Sequence, residues 1–562
     1  MSFSKYLVYA ATLILVTACS KVPDSAEPMQ QASMAMPEST SAADTRPNIL
    51  FIVADDLGFT DIGAFGSEIS TPVLDELAHE GLRINNLHAG SACQQTRTML
   101  MASTGHARGV QNRPAKFKNP IGFEGGARDN LLKLDFATIP ELLQDAGYAT
   151  YMTGKWDLGW DEGYTPATRG FDHSFVQLNG ASSYFAEEFE TGSVTGFEDD
   201  GNTLAFSDLS EDFYVTDHYT NKMLEYLEAT EEGQPWFAYM PYTAPHWPLQ
   251  LPEEWLDLYA GQYEMGYDVL RKQRFASAME AGVLPANSSL ENFKPQAEPW
   301  DDLSAEEQRK YSRAMEIYAA MITHLDMSIG RIISHLKETG QMNNTVIVFA
   351  SDHGASSAEH GVHTGRGPHQ VRPTIPEWTD NSFENFGHIN SYIDHGRGFG
   401  EAASAPFRYL KGSITEGGLR AASFIRYPAK IEAGGVTSTY MTMMDILPTF
   451  MDIAGTEHPG AGSFRGREVV DILGTSAWPL LTGQADVVHG PMDTAGWSSH
   501  DGGGALIRGD YKLINAAAPG EQDPTEWRLY NLVDDPGEHF ELSITHPELV
   551  AELVEEWETN WR

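Results

Sequence analysis

The sequence predicts an α/β protein: a large, mainly parallel sheet with helices on both faces, followed by a smaller C-terminal antiparallel α+β subdomain. Three observations predict it. Ile49–Ala54 (ILFIVA) and Thr345–Ser351 (TVIVFAS) are continuous apolar runs of strand length, the pattern of central strands covered on both faces. Between them, amphipathic helical segments alternate with further strands, which favours parallel pairing with helices packed above and below. Beyond about Asp445 the alternation stops. There, GGALIRGDYKLINA (503–516) and EWRLYNLVDDP (526–536) read as hairpin strands before a closing helix over Pro547–Trp561.

At 562 residues the chain is long enough to bury a large core. Its 37 basic residues against 79 acidic ones give a formal net charge of -42. That balance excludes nucleic acid and anionic membrane surfaces as partners, and an anionic substrate would need positive charge concentrated at its site. The only two cysteines, Cys19 and Cys93, exclude a disulfide core, so each needs its own role. Lys5 precedes an apolar run from Tyr6 to Val16, too short to span a bilayer and right for a secretory h-region. The run ends in Val16-Thr17-Ala18-Cys19, which resembles the lipobox of bacterial lipoproteins, where cleavage precedes a lipid-modified cysteine. Residues 20–46 are polar and without aromatics, a tether. The expected organisation is a signal peptide over 1–18, a tether over 19–46, a main domain over 47–445 and a C-terminal subdomain over 446–562. The expected address is a lipid anchor outside the cytoplasm, on the periplasmic face of an outer membrane.

Taken in order, ILFIVA breaks into Asp55-Asp56-Leu57-Gly58, two carboxylates at a strand's C-terminal end, where open α/β sheets place their ligands. Thr71-Pro72 opens an amphipathic helix, TPVLDELAHEG, which Gly81 stops. The stretch Ser91–His106, SACQQTRTMLMASTGH, carries Cys93 and, four residues on, Arg97. A helix over Ile139–Ala146 and a strand over 148–154 end in Lys155-Trp156-Asp157. A strand over Trp236–Met240 runs into PYTAPHWPL, which presents His246 between two prolines. A helix from about Ala305 to Gly340 keeps the 3.6-residue period through Ala314, Ile317, Met321, Leu325, Ile329, Ile332 and Leu336, and docks on a sheet face. TVIVFAS then ends in Asp352-His353-Gly354. A parallel arrangement delivers Asp55, Asp56, Lys155, His246, Asp352 and His353 to one end of the sheet. From Ala355 to Ala405 there is little periodicity, and HGVH at 360–363 reads as solvated loop. RYLKGSITEGGLR then brings in Lys411 before a Gly-Gly turn and another strand.

Seven pieces in order, PNILFIVADDLG, SACQQTRTML, TGKWDLG, APHWPL, ASDHG, APFRYLKGSITEGGLR and LYNLVDDPGE, resemble the arylsulfatase branch of the alkaline-phosphatase-like superfamily from Pro47 onward. The resemblance implies that fold and the hydrolysis of a sulfate ester of a carbohydrate or an aryl alcohol. It also implies a calcium ion, with magnesium or another divalent ion as substitute. A maturation enzyme would convert Cys93 to formylglycine (3-oxoalanine), whose hydrate is the nucleophile. On that basis Asp55, Asp56, Cys93, Asp352 and His353 hold the metal, and Arg97 holds the diol. Lys155 and Lys411 neutralise sulfate oxygens, and His246 protonates the departing alcohol. The chemistry agrees, since a compact anion with an oxygen leaving group calls for a nucleophile, a Lewis acid and fixed positive charge. Four places depart from the family pattern. Gln95 stands where Pro or Ala is usual, Ala102-Ser103 where Thr-Gly closes the motif, Asp157 where His is usual, and His353 where Asn is common. Two other readings therefore stay open: a phosphoric or phosphonic ester hydrolase on the same fold, and a non-catalytic relative that binds sulfated glycans.

Overall fold

The computed structural model describes residues 46–112, 130–185, 196–204, 206–356, 358–359, 361–362, 379–498, 503–515 and 526–561. Seven strands form the body of one large sheet: β1 (Asn48–Ala54), β2 (Leu82–His88), β3 (Ala149–Lys155), β4 (His173–Gln177), β5 (Trp236–Pro241), β6 (Thr345–Ser351) and β7 (Arg420–Arg426). Their order is β2-β7-β6-β1-β5-β3-β4, and short strands at both edges bring the sheet to eleven. Strands β6, β1, β5, β3 and β4 are mutually parallel. Strand β7 is antiparallel to both β6 and β2, so β2 points with the parallel set and β7 begins where the others end. The C-terminal ends of β1, β2, β3, β5 and β6 therefore share one edge with the N-terminal end of β7.

The two faces explain the apolar runs. Leu50, Ile52 and Ala54 of β1 enter one core with Ile347 and Phe349 of β6 and the long helix Ala305–Glu338. Ile49, Phe51 and Val53 enter a second core on the other face with Val346, Val348 and the helices Cys93–Ala102, Ile139–Asp145 and Ile446–Ala454. A strand with apolar residues at every position is thus buried on both sides. The long helix starts at a capping box in which Ser304 and Glu307 satisfy each other's backbone N–H, and it stops two residues before Gly340, whose φ is +73°. Among the described residues no helix is long and apolar enough to cross a membrane.

Thr494–Ser498, Gly504–Arg508, Tyr511–Ile514 and Arg528–Asn531 form a separate antiparallel sheet. Leu506, Leu513 and Leu529 pack on Leu553 and Trp557 of the helix Pro547–Asn560, while Trp497, Ala505, Ile507 and Ile514 join the second core of the main sheet. A fully buried set of charges also ties the two sheets together. Glu416 accepts from Arg420 (2.6 Å) and Lys512 (2.8 Å) and meets His88 Nε2 at 2.9 Å; Lys512 also reaches Glu538 at 2.9 Å.

The connection read as loop between Ala355 and Ala405 contains a helix, Arg397–Ser404. Its sequence, RGFGEAAS, carries two glycines that lower helix propensity, and burial of Phe399, Ala402 and Ala403 overrides that preference. His360 and His363, like the proposed lipobox, lie outside the described residues.

Candidate active site

Each candidate residue reaches the shared edge through its own strand end. Asp55 and Asp56 follow β1, and Asp56 takes φ +64°, a left-handed turn that Asp tolerates better than most residues. Cys93 is the first residue of the helix after β2, and Arg97 lies one turn on along the same face. Lys155 ends β3, His246 follows β5, Asp352 and His353 follow β6, and Lys411 precedes β7. Two glycines make the last approach possible. A Cβ on Gly354 would stand 1.8 Å from Gly417 O, and one on Gly417 would stand 2.1 Å from Tyr409 O.

These nine polar side chains converge in one buried cluster. Cys93 Sγ lies 3.3 Å from Asp55 Oδ1, 3.3 Å from His353 Nε2 and 3.4 Å from Lys411 Nζ. Asp55 Oδ2 accepts from Lys155 Nζ at 2.5 Å and from Arg97 at 3.0 Å, and Arg97 also lies 3.7 Å from Asp352. Arg97 donates in addition to the Lys155 carbonyl. Lys411 Nζ reaches Asp56 Oδ1 at 2.5 Å and, 17% exposed, is the most open member. The resemblance gives the two lysines to sulfate oxygens; here each rests on a carboxylate, Lys155 fully buried on Asp55 and Lys411 partly open on Asp56.

Burial alone would raise Asp55, but Lys155, with His246, Arg97 and Lys411, outweighs it and holds the carboxylate well below its usual range. Burial pushes Asp56 up to about 6 against the pull of Lys411, and burial with the neighbouring Asp55 pushes Asp352 up to about 7. Burial, then Asp55, drives the Cys93 thiol well above its ordinary value, so the sulfur is a neutral thiol. Burial, then Lys411, holds His353 down at about 4 and His246 well below 6.5.

This arrangement fits a divalent cation. His353 Nδ1 donates to Gly354 O at 2.9 Å, so neutral His353 turns a lone pair on Nε2 towards Asp56 Oδ1 and Asp352 Oδ1, 3.4 Å from each. Acceptors facing acceptors in a buried site are unfavourable unless a cation lies among them. The other oxygens, Asp56 Oδ2 and Asp352 Oδ2, are buried without a hydrogen-bond partner. Ligand atoms of Asp55, Cys93, Asp352 and His353 all lie within 4.8 Å of one another, as do those of Asp55, Asp56, Cys93 and His246. Three carboxylates suit a hard ion such as calcium or magnesium, with His353 as a nitrogen donor. Because Asp56 and Asp352 must lose protons to bind it, metal affinity should climb with pH from about 5 to about 8 and level off once both are ionised. Calcium titrations of the stripped protein across that range check this; a flat affinity would contradict it.

Asp157 follows Lys155 with φ +56° and forms no ion pair among the described residues. Its carboxylate lies against Gly180, where a Cβ would stand 3.2 Å from Oδ1. Burial raises it, with Lys155 and Arg97 pulling the other way. Gln95, a departure in the motif, has a structural task here. Its Oε1 accepts from Ser91 N (2.9 Å) and Ser91 Oγ (2.7 Å), bracing the loop before Cys93, and Ser91 O accepts from Gly412 beside Lys411.

Sequence reasoning missed a supporting layer. Tyr318 OH donates to Asp56 O (3.0 Å) and Asp61 Oδ2 (2.7 Å), and Asp61 pairs with buried Arg274. Thr96 Oγ1 donates to Asp352 O at 2.5 Å. Tyr318 sits on the apolar face of the long helix and reads there as core; only its hydroxyl could have flagged it.

The Sulfatase family model matches residues 47–456. An uncharacterized sulfatase of Schizosaccharomyces pombe is 39% identical over 534 residues, covering 92% of this chain and 93% of its own. An arylsulfatase of Klebsiella aerogenes is 33% identical over 441 residues, covering 78% of this chain and 92% of its own. Among solved structures, Ps i-CgsB superposes with a TM-score of 0.64 at 22% identity over 92% of each chain. A second, solved with its substrate D-glucosamine-2-N,6-O-disulfate, gives 0.58 at 21% identity over 92% of this chain and 99% of its own. At those identities the likeness is one of fold, alkaline-phosphatase-like as expected. With the family model spanning the whole main sheet and the buried cluster at its edge, the chain belongs to the sulfatase family and is a sulfuric ester hydrolase.

Proposed function

We propose that the chain hydrolyses sulfate esters of carbohydrates through a formylglycine made from Cys93, with a calcium ion held by Asp55, Asp56, Asp352 and His353. The observation that carries this reading is the position of Cys93 Sγ, at hydrogen-bond distance from an acid, an imidazole and a lysine at once. The sulfur stands where the oxygens of the modified residue would be. As a buried neutral thiol it is a poor nucleophile, which favours conversion over direct use. When bound, the ion supplies Lewis acidity and the hydrated formylglycine an oxygen nucleophile.

The chain's own residues do the rest. Arg97, fixed between Asp55 and the Lys155 carbonyl, orients residue 93. Lys155 and Lys411 balance charge on the sulfate, and Lys411 at the mouth meets it first. His246 Nδ1 donates to Trp247 O at 2.5 Å, which leaves Nε2 to exchange a proton in the cavity. Burial and Lys411 keep that nitrogen unprotonated, so a bound anion must raise its pKa before it can protonate the leaving alcohol. The sulfated sugar bound to one of the similar folds supports the carbohydrate reading of the substrate class.

The residue 93 peptide should weigh about 18 Da less than its cysteine form, or match it when hydrated. Sulfate esters should be cleaved in preference to phosphate esters, because a dianion would face Asp157 as well. A peptide that alkylates fully as a free thiol, from a host able to mature sulfatases, would sink the formylglycine reading.

The apolar run 6–16, Val16-Thr17-Ala18-Cys19 and the polar tether support a lipid anchor at Cys19, outside the cytoplasm. Cys19→Ala should release the protein or leave its precursor uncut, and unchanged membrane fractionation would count against the anchor.

A further inference from the structure

A groove of about 270 Å³ lies along the helix Cys93–Ala102, on the side of the C-terminal sheet. Gln95, His106 and Arg108 line one wall, and Trp497, Ser498 and Trp561 line the other. In a chain with 79 acidic residues, no Asp or Glu lines this groove among the described residues. Arg108 is exposed, forms no ion pair among the described residues and donates only to the carbonyls or hydroxyls of its neighbours, Asp471 O among them at 3.0 Å. Arg108 is thus the one Lys or Arg side chain of the described lining, with no carboxylate among its lining neighbours to oppose an anion.

The opposite wall is aromatic and fixed. Trp497 Nε1 donates to Ala89 O at 2.8 Å. The Trp561 indole lies against Gly496, where a Cβ would stand 2.4 Å from its Cγ, so only glycine lets the ring pack there. Gln95 turns its carbonyl oxygen to Ser91, and its Nε2 makes no hydrogen bond among the described residues. Ser498 Oγ donates to Trp561 O at 3.3 Å and keeps its lone pairs as acceptors. An apolar face, an amide N–H donor, a hydroxyl acceptor and one cation suit a pyranose ring carrying a sulfate, and the volume, near the lower end of ~300–1,000 Å³ for ligand pockets, suits a single ring.

We propose that this groove is a second saccharide site, which takes a sulfated sugar ring other than the one whose ester is cleaved. The ring would lie on the Trp561 indole, its sulfate on Arg108 and its hydroxyls on Gln95 and Ser498. The proposal rests on the carbohydrate reading of the substrate.

The test uses Arg108→Gln and Trp561→Ala in the mature enzyme, with 4-nitrocatechol sulfate and a sulfated carrageenan hexasaccharide as substrates. For the hexasaccharide, KM should rise about tenfold in each variant with kcat held, as loss of one charge contact or one buried ring face predicts. Values for 4-nitrocatechol sulfate should stay unchanged. Unchanged hexasaccharide KM in both variants overturns the site, and so does a parallel loss on both substrates, which would mark a merely structural role. Arg108 is exposed, so its variant folds even where Trp561→Ala does not. If the hexasaccharide is not cleaved, the carbohydrate reading fails for that sugar, and its binding isotherm on the Cys93→Ala protein decides the groove separately. Binding that weakens about tenfold with added Arg108→Gln supports it, whereas absent binding, or binding indifferent to that change, overturns it.

Discussion

Cys93→Ala is expected to abolish sulfate ester cleavage while the melting temperature barely moves. The side chain is small, and removing its sulfur leaves a cavity worth about 1 kcal/mol or less, well under the cost of deleting a larger core side chain. No buried charge loses its partner, because Lys411 keeps Asp56 and Asp55 keeps Lys155 and Arg97. Asp55→Ala is the informative contrast. It strands buried Lys155 and weakens the hold on Arg97, and breaking such pairs by removing one member costs about 3–5 kcal/mol. That variant should lose activity, metal and stability together. Turnover of 4-nitrocatechol sulfate alongside thermal melts separates the two; residual turnover in Cys93→Ala would remove residue 93 from the chemistry.

Lys512→Met should be among the most destabilising substitutions far from the reacting atoms. Lys512 lies between Glu416 and Glu538, all fully buried, and its loss leaves two carboxylates close together, Glu416 still held by Arg420 and His88 but Glu538 without a cation at ion-pair distance among the described residues. A broken buried network of this kind costs about 3–5 kcal/mol. Burial alone would raise Glu416, but His88, Lys512 and Arg420 hold it well below its ordinary value. A carboxylate depressed in the folded state contributes stability above its unfolded pKa of about 4.3, and that stability is lost as pH falls through the folded value. Without Lys512 the folded pKa rises, the contribution shrinks, and acid unfolding should set in at a higher pH. Urea melts at neutral pH and an acid titration read both effects, and a Lys512→Met protein as stable as its parent would show the network to be dispensable.

Much of the site is legible because strand ends are legible. ILFIVA and TVIVFAS announce central strands, and the residues that follow them, Asp55, Asp56, Asp352 and His353, inherit their position from parallel pairing. Cys93 and Arg97 come together through helical spacing alone. Lys411 is harder, since it depends on β7 running against its neighbours, and nothing in RAASFIR states a direction. Tyr318, Asp61 and Arg274 escape altogether because their importance lies in one hydroxyl and one buried pair that no periodicity marks. The strand Thr494–Ser498, TAGWS, has no alternation to betray it and is held by pairing with Gly504–Arg508. Gln95 reads as a departure in the chain and as a brace in three dimensions.

The placement of β1 between β5 and β6 sets the timing of folding. Among the described residues β1 is the first strand and pairs only with segments synthesised far later, so its apolar surface must wait for most of the polypeptide before the sheet closes over it. Topologies dominated by such distant pairings fold slowly and expose sticky intermediates along the way. Cys93 shares that delay, because the Asp352–Gly354 turn and the Lys411 loop that cover it arrive later still. In the finished protein only 7% of the residue is exposed. Any modifying enzyme must therefore meet this thiol on a nascent or incompletely folded chain, before the second half of the sheet shuts it away.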